Sequence, residues 1–373
     1  MAAVEHSAAA IFWVSVSFMR KNNFNLIRLL AACLVLAGHM GPILGMASPT
    51  LGSQGLHAVG VQVLFAMGGY LIANSWRNDP NFGRFFLRRF LRLWPPFAVM
   101  VLLLAFVAGP LLSTLGPKGY FSSWWTSWLK NLRFYSMYAQ PGVFENNPMP
   151  LVSNGSIWTM PVEAAAYVIT PILMLLFLRG RGKPVVKAGL VTLLFCAADT
   201  ALIAGGTQPF VFYGTDWTAG FHLLTYFVIG IFCGFEEVKK VFHLQAAPIV
   251  LILILLTTEI RSATLQWLVW LISLPYLVFS FALTEKPLFW KLGTKIELSY
   301  GIYLYGFFFQ QLVVFWSLKY GLSWSYMTCY GLSLALSACA AVLNCVMIEN
   351  PLLKLSRKLT AAMKNQEKSS ATV

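Results

Sequence analysis

The chain has 373 residues, of which 58% are hydrophobic, 15% aromatic and only 11% charged, and its mean hydropathy is +0.68. A soluble domain carries roughly 25% charged residues and a disordered chain combines low hydrophobicity with high charge density, so both classes are excluded and a polytopic membrane protein is expected. The net charge of +14 does not mark a nucleic-acid binder, because Lys and Arg cluster in alternate connections between apolar segments.

Residues 1–22 read as an apolar and basic leader. Its apolar part, 8–19, is too short to span. Basic residues follow it instead of preceding it as in a signal peptide, so an interfacial segment is expected. Ten apolar segments then follow near 25–46, 56–75, 95–115, 157–178, 185–205, 219–235, 246–259, 263–283, 296–317 and 325–348. They predict an all-α membrane protein of about ten transmembrane helices, with a membrane domain over 23–351. Antiparallel succession puts both termini on one face. Of the 27 Lys and Arg, the other face receives only Lys118, Lys130, Arg133, Arg261 and Lys319. The crowded face is therefore cytoplasmic by the positive-inside rule, as in a multi-pass protein of the plasma (inner) membrane. The longest polar connection, 116–156, lies outside and carries Trp124, Trp125 and Trp128. These form an interfacial aromatic belt or a surface on which sugars stack. Residues 352–373 read as a disordered, basic cytoplasmic tail. The six cysteines lack metal-ligand spacing and read as small core residues; no metal is expected.

A charge near the bilayer centre costs at least ~2.5–3.5 kcal/mol on insertion scales, so polar groups within the spans need a reason. Arg28 and His39 are eleven residues apart in the first span. That spacing puts them on one face, ~16 Å apart. His39 reads either as a hydrogen-bonding strut between helices or as a titratable group in a cavity; Gly38 and Gly41 beside it allow close approach. Arg84, Arg88 and Arg92 form an i, i+4, i+8 stripe joined by Arg89, opposite Phe and Leu. This describes an interfacial amphipathic helix that Pro95 and Pro96 then break. The arginines read as lipid-phosphate anchors or as guanidinium forks gripping the phosphates of a cytosolic ligand. Glu163 is the carboxylate of the 157–178 span and is expected about a turn inside the outer boundary. It reads as a structural ion pair, or as a group that orients His39 or grips a hydroxyl-bearing substrate. On these grounds alone the polar path fits an enzyme or a transporter for an anionic or sugar solute equally well.

The same residues resemble acyltransferase family 3, the integral-membrane acyltransferases of bacterial surface sugars and lipid-linked glycans. The likeness runs from Asn23-Phe24-Asn25-Leu26-Ile27-Arg28 to Ile348-Glu349-Asn350-Pro351. Arg28 and His39 match the family's Arg-x10-His pattern. Gly60-Val61-Gln62-Val63-Leu64-Phe65 with Gly69-Tyr70-Leu71-Ile72 is similar to its second-helix signature. Arg88-Arg89-Phe90-Leu91-Arg92-Leu93-Trp94-Pro95 is similar to its Arg-rich motif, and Trp158 through Glu163 to its Trp/Glu motif. Ser299 through Gly306, with Gln310 and Gln311, is similar to its late-helix motif. Gly68 stands where the family often has Ser, and Gly306 where many members have His. The resemblance implies an O-acyltransferase that takes an acyl group, most often acetyl, from cytosolic acetyl-CoA. The acceptor would be a hydroxyl of a cell-surface or lipid-linked carbohydrate. It further implies His39 and Glu163 at the catalytic centre, His39 being either base or acyl relay. Arg28, Arg88, Arg89 and Arg92 would hold the donor, and Trp158, Tyr305 and Gln310 would contact the acceptor. The partners implied are that glycan and membrane lipids, with no nucleic acid.

Overall fold

The computed structural model describes residues 22–293 and 296–371; the expected leader over 1–22 lies outside them except for Asn22. All ten expected segments are helical: α1 (Phe24–Ile43), α2 (Leu56–Asn78), α3 (Phe82–Leu103), α4 (Thr159–Leu178), α5 (Pro184–Ala204), α6 (Trp217–Cys233), α7 (Ala247–Leu255), α8 (Ala263–Ala282), α9 (Ser299–Lys319) and α10 (Tyr326–Asn344). Among the described residues eight helices are long and apolar enough to cross a membrane. The other two, α6 and α7 with its flanking turns, are shorter apolar helices. Side-chain caps set several starts. The Asn81 carboxamide accepts from Arg84 N–H (3.0 Å), and Asp216 accepts from Thr218 and Ala219 N–H at the head of α6, each satisfying donors the first helical turn leaves free.

Two elements differ from the sequence reading. Pro95 and Pro96 were expected to end an interfacial helix, but α3 runs through both and continues, by a π-turn at Leu104–Ala108 and a turn at Gly109–Leu112, as one span. Proline removes only its own N–H, so the ladder loses the donors to the Leu91 and Arg92 carbonyls and otherwise persists. The arginine stripe therefore belongs to the N-terminal part of a spanning helix. Second, residues 352–373 are helical as far as Ala371 instead of disordered. A second π-turn, Cys345–Glu349, carries α10 directly into α11 (Asn350–Ala371). Leu352, Leu355, Leu359 and Met363 recur at helical spacing. α11 packs along α3, where Glu367 pairs with Arg84 and accepts from the Asn81 carboxamide at 3.0 Å.

The bundle is organised around α2 and α9, the most deeply buried spans; α5 sits at the periphery and exposes most of its surface. α2 packs on α1 and α6, and α9 on α1 and α10. The α2–α6 contact is backbone to backbone. A Cβ on Gly69 would collide with the Phe227 carbonyl and one on Gly230 with the Ala66 carbonyl, the close approach that small residues give membrane helices. Two-residue hairpins, Thr50–Leu51 with Gln54–Gly55 and Val211–Phe212 with Thr215–Asp216, lead into α2 and α6.

Candidate functional site

Two polar centres lie toward opposite ends of α1. At the Arg28 end, four helices and a loop converge. One carboxylate oxygen of Glu297, just before α9, faces the Arg28 guanidinium at 3.3 Å and the Arg92 guanidinium at 3.5 Å. The other oxygen accepts from the Ser299 backbone N–H (2.9 Å) and hydroxyl. Although burial pushes the Glu297 carboxyl up, Arg28 and Arg92 outweigh it and hold the group below its usual range. On α4 the Tyr167 hydroxyl donates to Glu163 one turn back. The Arg89 guanidinium lies 6.0 Å from the Tyr167 ring centre and 5.9 Å from that of Phe85. Arg88 Nη1 donates to Asp79 at 2.6 Å, while its Nε and Nη2, like Nε of Arg89, are buried and find no acceptor among the described residues. Arg84 is fully engaged by Asp79 and Glu367. Buried guanidinium donors without partners cost the desolvation of each N–H, and oxygens of phosphate are the acceptors that suit them.

Glu163 was expected near the outer boundary and within reach of His39. It instead faces Arg92, Arg28 and Arg89. The reason is the path of the 116–156 connection, which does not stay at the surface. Asn147 donates to Gln311 at 2.7 Å, Gln311 to the carbonyls of Met149 and Val152, Asn154 to the Leu304 carbonyl at 2.9 Å, and Thr159 pairs with the Tyr303 hydroxyl at 2.6 Å. From Gln311 to Leu304 the chain descends ~10 Å beside α9 before α4 begins, so Glu163 starts deep. Irregular backbone at this depth is tolerated because it is buried in protein: Gln140, Ser153, Asn154 and Ser156 are all buried.

At the other end of α1, His39 is partly accessible. Its ring stacks on that of His57, the second residue of α2, with centroids 4.9 Å apart and planes 28° apart; Phe307 meets it edge-on at 5.2 Å. Ser48 Oγ lies 3.1 Å from His57 Nδ1 and donates to the Gly38 carbonyl at 2.8 Å. Gly38 and Gly41 do permit close approach, to the His57 backbone and to the Ala47 carbonyl respectively. Of the expected acceptor contacts, Trp158 is half-buried at the foot of the descending loop. Tyr305 is buried, and Gln310, fully buried, donates to the Leu36 carbonyl at 2.6 Å, tying α9 to α1 one turn before His39.

His57, Ser48, Tyr167 and Glu297 escaped the sequence reading. Two of them had a signal in their scarcity: His57 is one of five histidines and Glu297 one of thirteen acids in a chain this apolar. A further pair, Asp199 on α5 and His222 on α6, lies away from both centres. Asp199 is fully buried, contacts His222 and accepts from Trp267 Nε1 at 3.2 Å. Among the described residues no cluster of His, Cys, Asp and Glu has the makings of a metal site.

Comparison with known proteins places this geometry in context. The sequence signature of the Acyltransferase domain matches residues 21–343. Peptidoglycan O-acetyltransferase OatA of Listeria monocytogenes serovar 1/2a is 27% identical over 288 residues, 66% of this chain and 44% of that protein. Nodulation protein 10 of Rhizobium leguminosarum bv. viciae is 27% identical over 194 residues, 49% of this chain and 51% of that protein. The O-acetyl transferase of Shigella phage Sf6 is 23% identical over 300 residues, 79% of this chain and 87% of that protein. The chain thus spans about half the length of the first two relatives. No solved structure matches it.

Proposed function

The chain belongs to acyltransferase family 3, and on that premise we propose that it is a membrane O-acetyltransferase, moving an acetyl group from cytosolic acetyl-CoA to a hydroxyl of a cell-surface or lipid-linked carbohydrate. The observation that carries the proposal is the pairing, along one helix, of a buried arginine cluster with a histidine that is only partly buried. Arg88 Nε and Nη2 and Arg89 Nε are buried donors without acceptors, and Arg28 and Arg92 share a single carboxylate oxygen. Such a set suits the pyrophosphate and 3′-phosphate of coenzyme A. The thioester supplies an acetyl group already activated for attack. His39, ~16 Å along α1 from Arg28, takes the acceptor's proton, a role typically worth ~10²–10⁴-fold, or receives the acetyl group and relays it. Glu163 serves the arginine end: it holds the Tyr167 hydroxyl and balances the cationic charge of Arg28, Arg89 and Arg92. Gln310, by fixing the turn of α1 that precedes His39, positions the imidazole. Trp158 offers the acceptor an aromatic face, and Tyr305 backs that helix. The crowding of Lys and Arg in alternate connections supports cytoplasmic termini and the inner (plasma) membrane as the location, by the positive-inside rule.

The test is the full chain in membrane vesicles given labelled acetyl-CoA. The wild type forms alkali-labile acetyl ester on the glycan fraction, and His39→Ala inserts and folds but forms none. Normal ester formation by that variant refutes the assignment.

A further inference from the structure

The hydrogen bonds around Ser48 fix the state of its histidine neighbour. A serine hydroxyl has one proton, and that of Ser48 is committed to the Gly38 carbonyl at 2.8 Å. The 3.1 Å contact with His57 Nδ1 must then run the other way, with Nδ1–H donating to the Ser48 oxygen. Neutral His57 therefore carries its proton on Nδ1 and leaves Nε2 with a free lone pair. Nothing among the described residues bonds that nitrogen, and His57, like His39, is only partly buried. The niche is tailored to this ring. A Cβ on Gly38 would collide with the His57 backbone, and one on Gly55 would come within 2.8 Å of its Cε1 and 3.0 Å of Nδ1. The imidazole is thus clamped between α1 and the β-hairpin turn, stacked on His39. Two imidazolium ions at this spacing repel, which favours one neutral ring beside one that is handling charge.

We propose that His57 is a second catalytic residue of the transfer reaction: its Nε2 takes the proton of the acceptor hydroxyl, while His39 serves the acyl carbon. This rests on the transferase reading above. His39 first takes the acyl group: its ring nitrogen bonds to the acyl carbon, the bond from that carbon to the donor sulfur breaks, and the proton the imidazole gives up on acylation passes to the thiolate as free thiol. The acceptor oxygen then bonds to the same carbon as the carbon–nitrogen bond to His39 breaks. The hydroxyl proton passes to His57 Nε2 and from there to the departing His39 imidazolate, so the products are ester and free thiol and both rings return to their neutral state. Ser48 is a positioning residue, holding the tautomer that leaves Nε2 basic.

A nucleophile that needs no base separates this role from a structural one. Vesicles carrying the full chain receive labelled acetyl-CoA, and two products are measured, each as the excess over vesicles lacking the chain because hydroxylamine also cleaves the thioester unaided: alkali-labile ester on the endogenous glycan fraction, and acetohydroxamate formed with added hydroxylamine, whose neutral nitrogen attacks with its own lone pair. His57→Gln is expected to lower ester formation by about 10²–10⁴-fold and hydroxamate formation less than tenfold, while His39→Ala abolishes both. Ser48→Ala is expected to lower ester formation by at least about twofold, the free imidazole dividing between tautomers and losing its anchor, and Ser48→Thr to restore it. The retained hydroxamate activity is itself the evidence that each variant is folded. Equal loss of both products in His57→Gln, or unchanged ester formation, overturns the role of His57 while leaving the transferase reading intact. A wild type that forms neither product refutes the transferase reading, and this one with it.

Discussion

Glu297 offers the sharpest quantitative test of the arginine centre. Its single oxygen stands 3.3 Å from Arg28 and 3.5 Å from Arg92, with the three side chains 19–32% exposed. It is the counter-ion that a phosphate would have to share or displace. Exposed pairs of this kind are worth ~0–1 kcal/mol, and removing one partner of a fully buried pair costs ~3–5 kcal/mol. At this intermediate exposure Glu297→Gln is expected to cost ~1–3 kcal/mol of stability. Donor binding should move the opposite way. A carboxylate and a phosphate ~4 Å apart repel by ~4 kcal/mol at an effective dielectric constant near 20. Water and rearrangement relieve most of this, so a KM for acetyl-CoA lowered by about tenfold, or ~1.4 kcal/mol, is the expected size. Thermal unfolding in nanodiscs and initial rates across a range of acetyl-CoA concentrations read the two quantities on one preparation. Loss of stability with a raised KM would refute the counter-ion argument, since it would mean that Glu297 holds the forks in place for the donor. No change in either would show that the arginines do not depend on it.

Arg89→Lys should raise the acetyl-CoA KM by about tenfold, because an ammonium cannot reproduce a two-pronged fork; an unchanged KM would leave Arg89 as an anchor of α3. His222→Ala should destabilise by ~3–5 kcal/mol in thermal unfolding, because the fully buried Asp199 keeps only Trp267. Adding Asp199→Asn should recover most of that loss, and a double variant no better than the single would refute the pairing. The Asp79 carboxyl is held down to about 2, first by its hydrogen bonds to Arg84 and then by Arg88, against ~3.9 when unfolded. Its contribution is therefore complete above pH ~4 and is lost as the pH falls from there toward about 2. Asp79→Asn should accordingly flatten the fall of melting temperature across that window, and a parallel fall in both proteins would refute the assignment.

The spans were legible because each is a run of apolar residues long enough to declare itself, and even the shorter α6 and α7 stand out between polar turns. Arg28 and His39 were legible for the same reason in reverse: a charge in such a run is expensive enough to need an explanation. What the sequence hid was depth and pairing. Glu163 was assigned to the wrong end because the connection before it looked like a surface loop. Only the contacts of Asn147, Gln311 and Asn154 with α9 reveal that it descends. Pro95 and Pro96 pointed to a break because proline disfavours helix interiors in general, whereas a packed span absorbs two missing donors. His57 and Ser48 were invisible as a pair, since nine residues and a hairpin separate them and no periodicity brings them together. Glu297 lies just outside a span, where a carboxylate is ordinary, and its importance comes wholly from Arg28 and Arg92 arriving from other helices.

The π-turn at Cys345–Glu349 fixes the angular phase between the last span and everything after it. Each residue of a helix advances the side-chain direction by about 100°, and a π-turn accommodates an extra residue without breaking the rod. Deleting Met347, which is 70% exposed and packs on little, would regularise the turn at small local cost. It would also swing the remaining helix by about that angle, carrying Glu367 away from Arg84 and Ser356 out of its buried seat. The most dispensable-looking side chain of this region thus governs how the far end of the polypeptide meets the arginine-bearing helix.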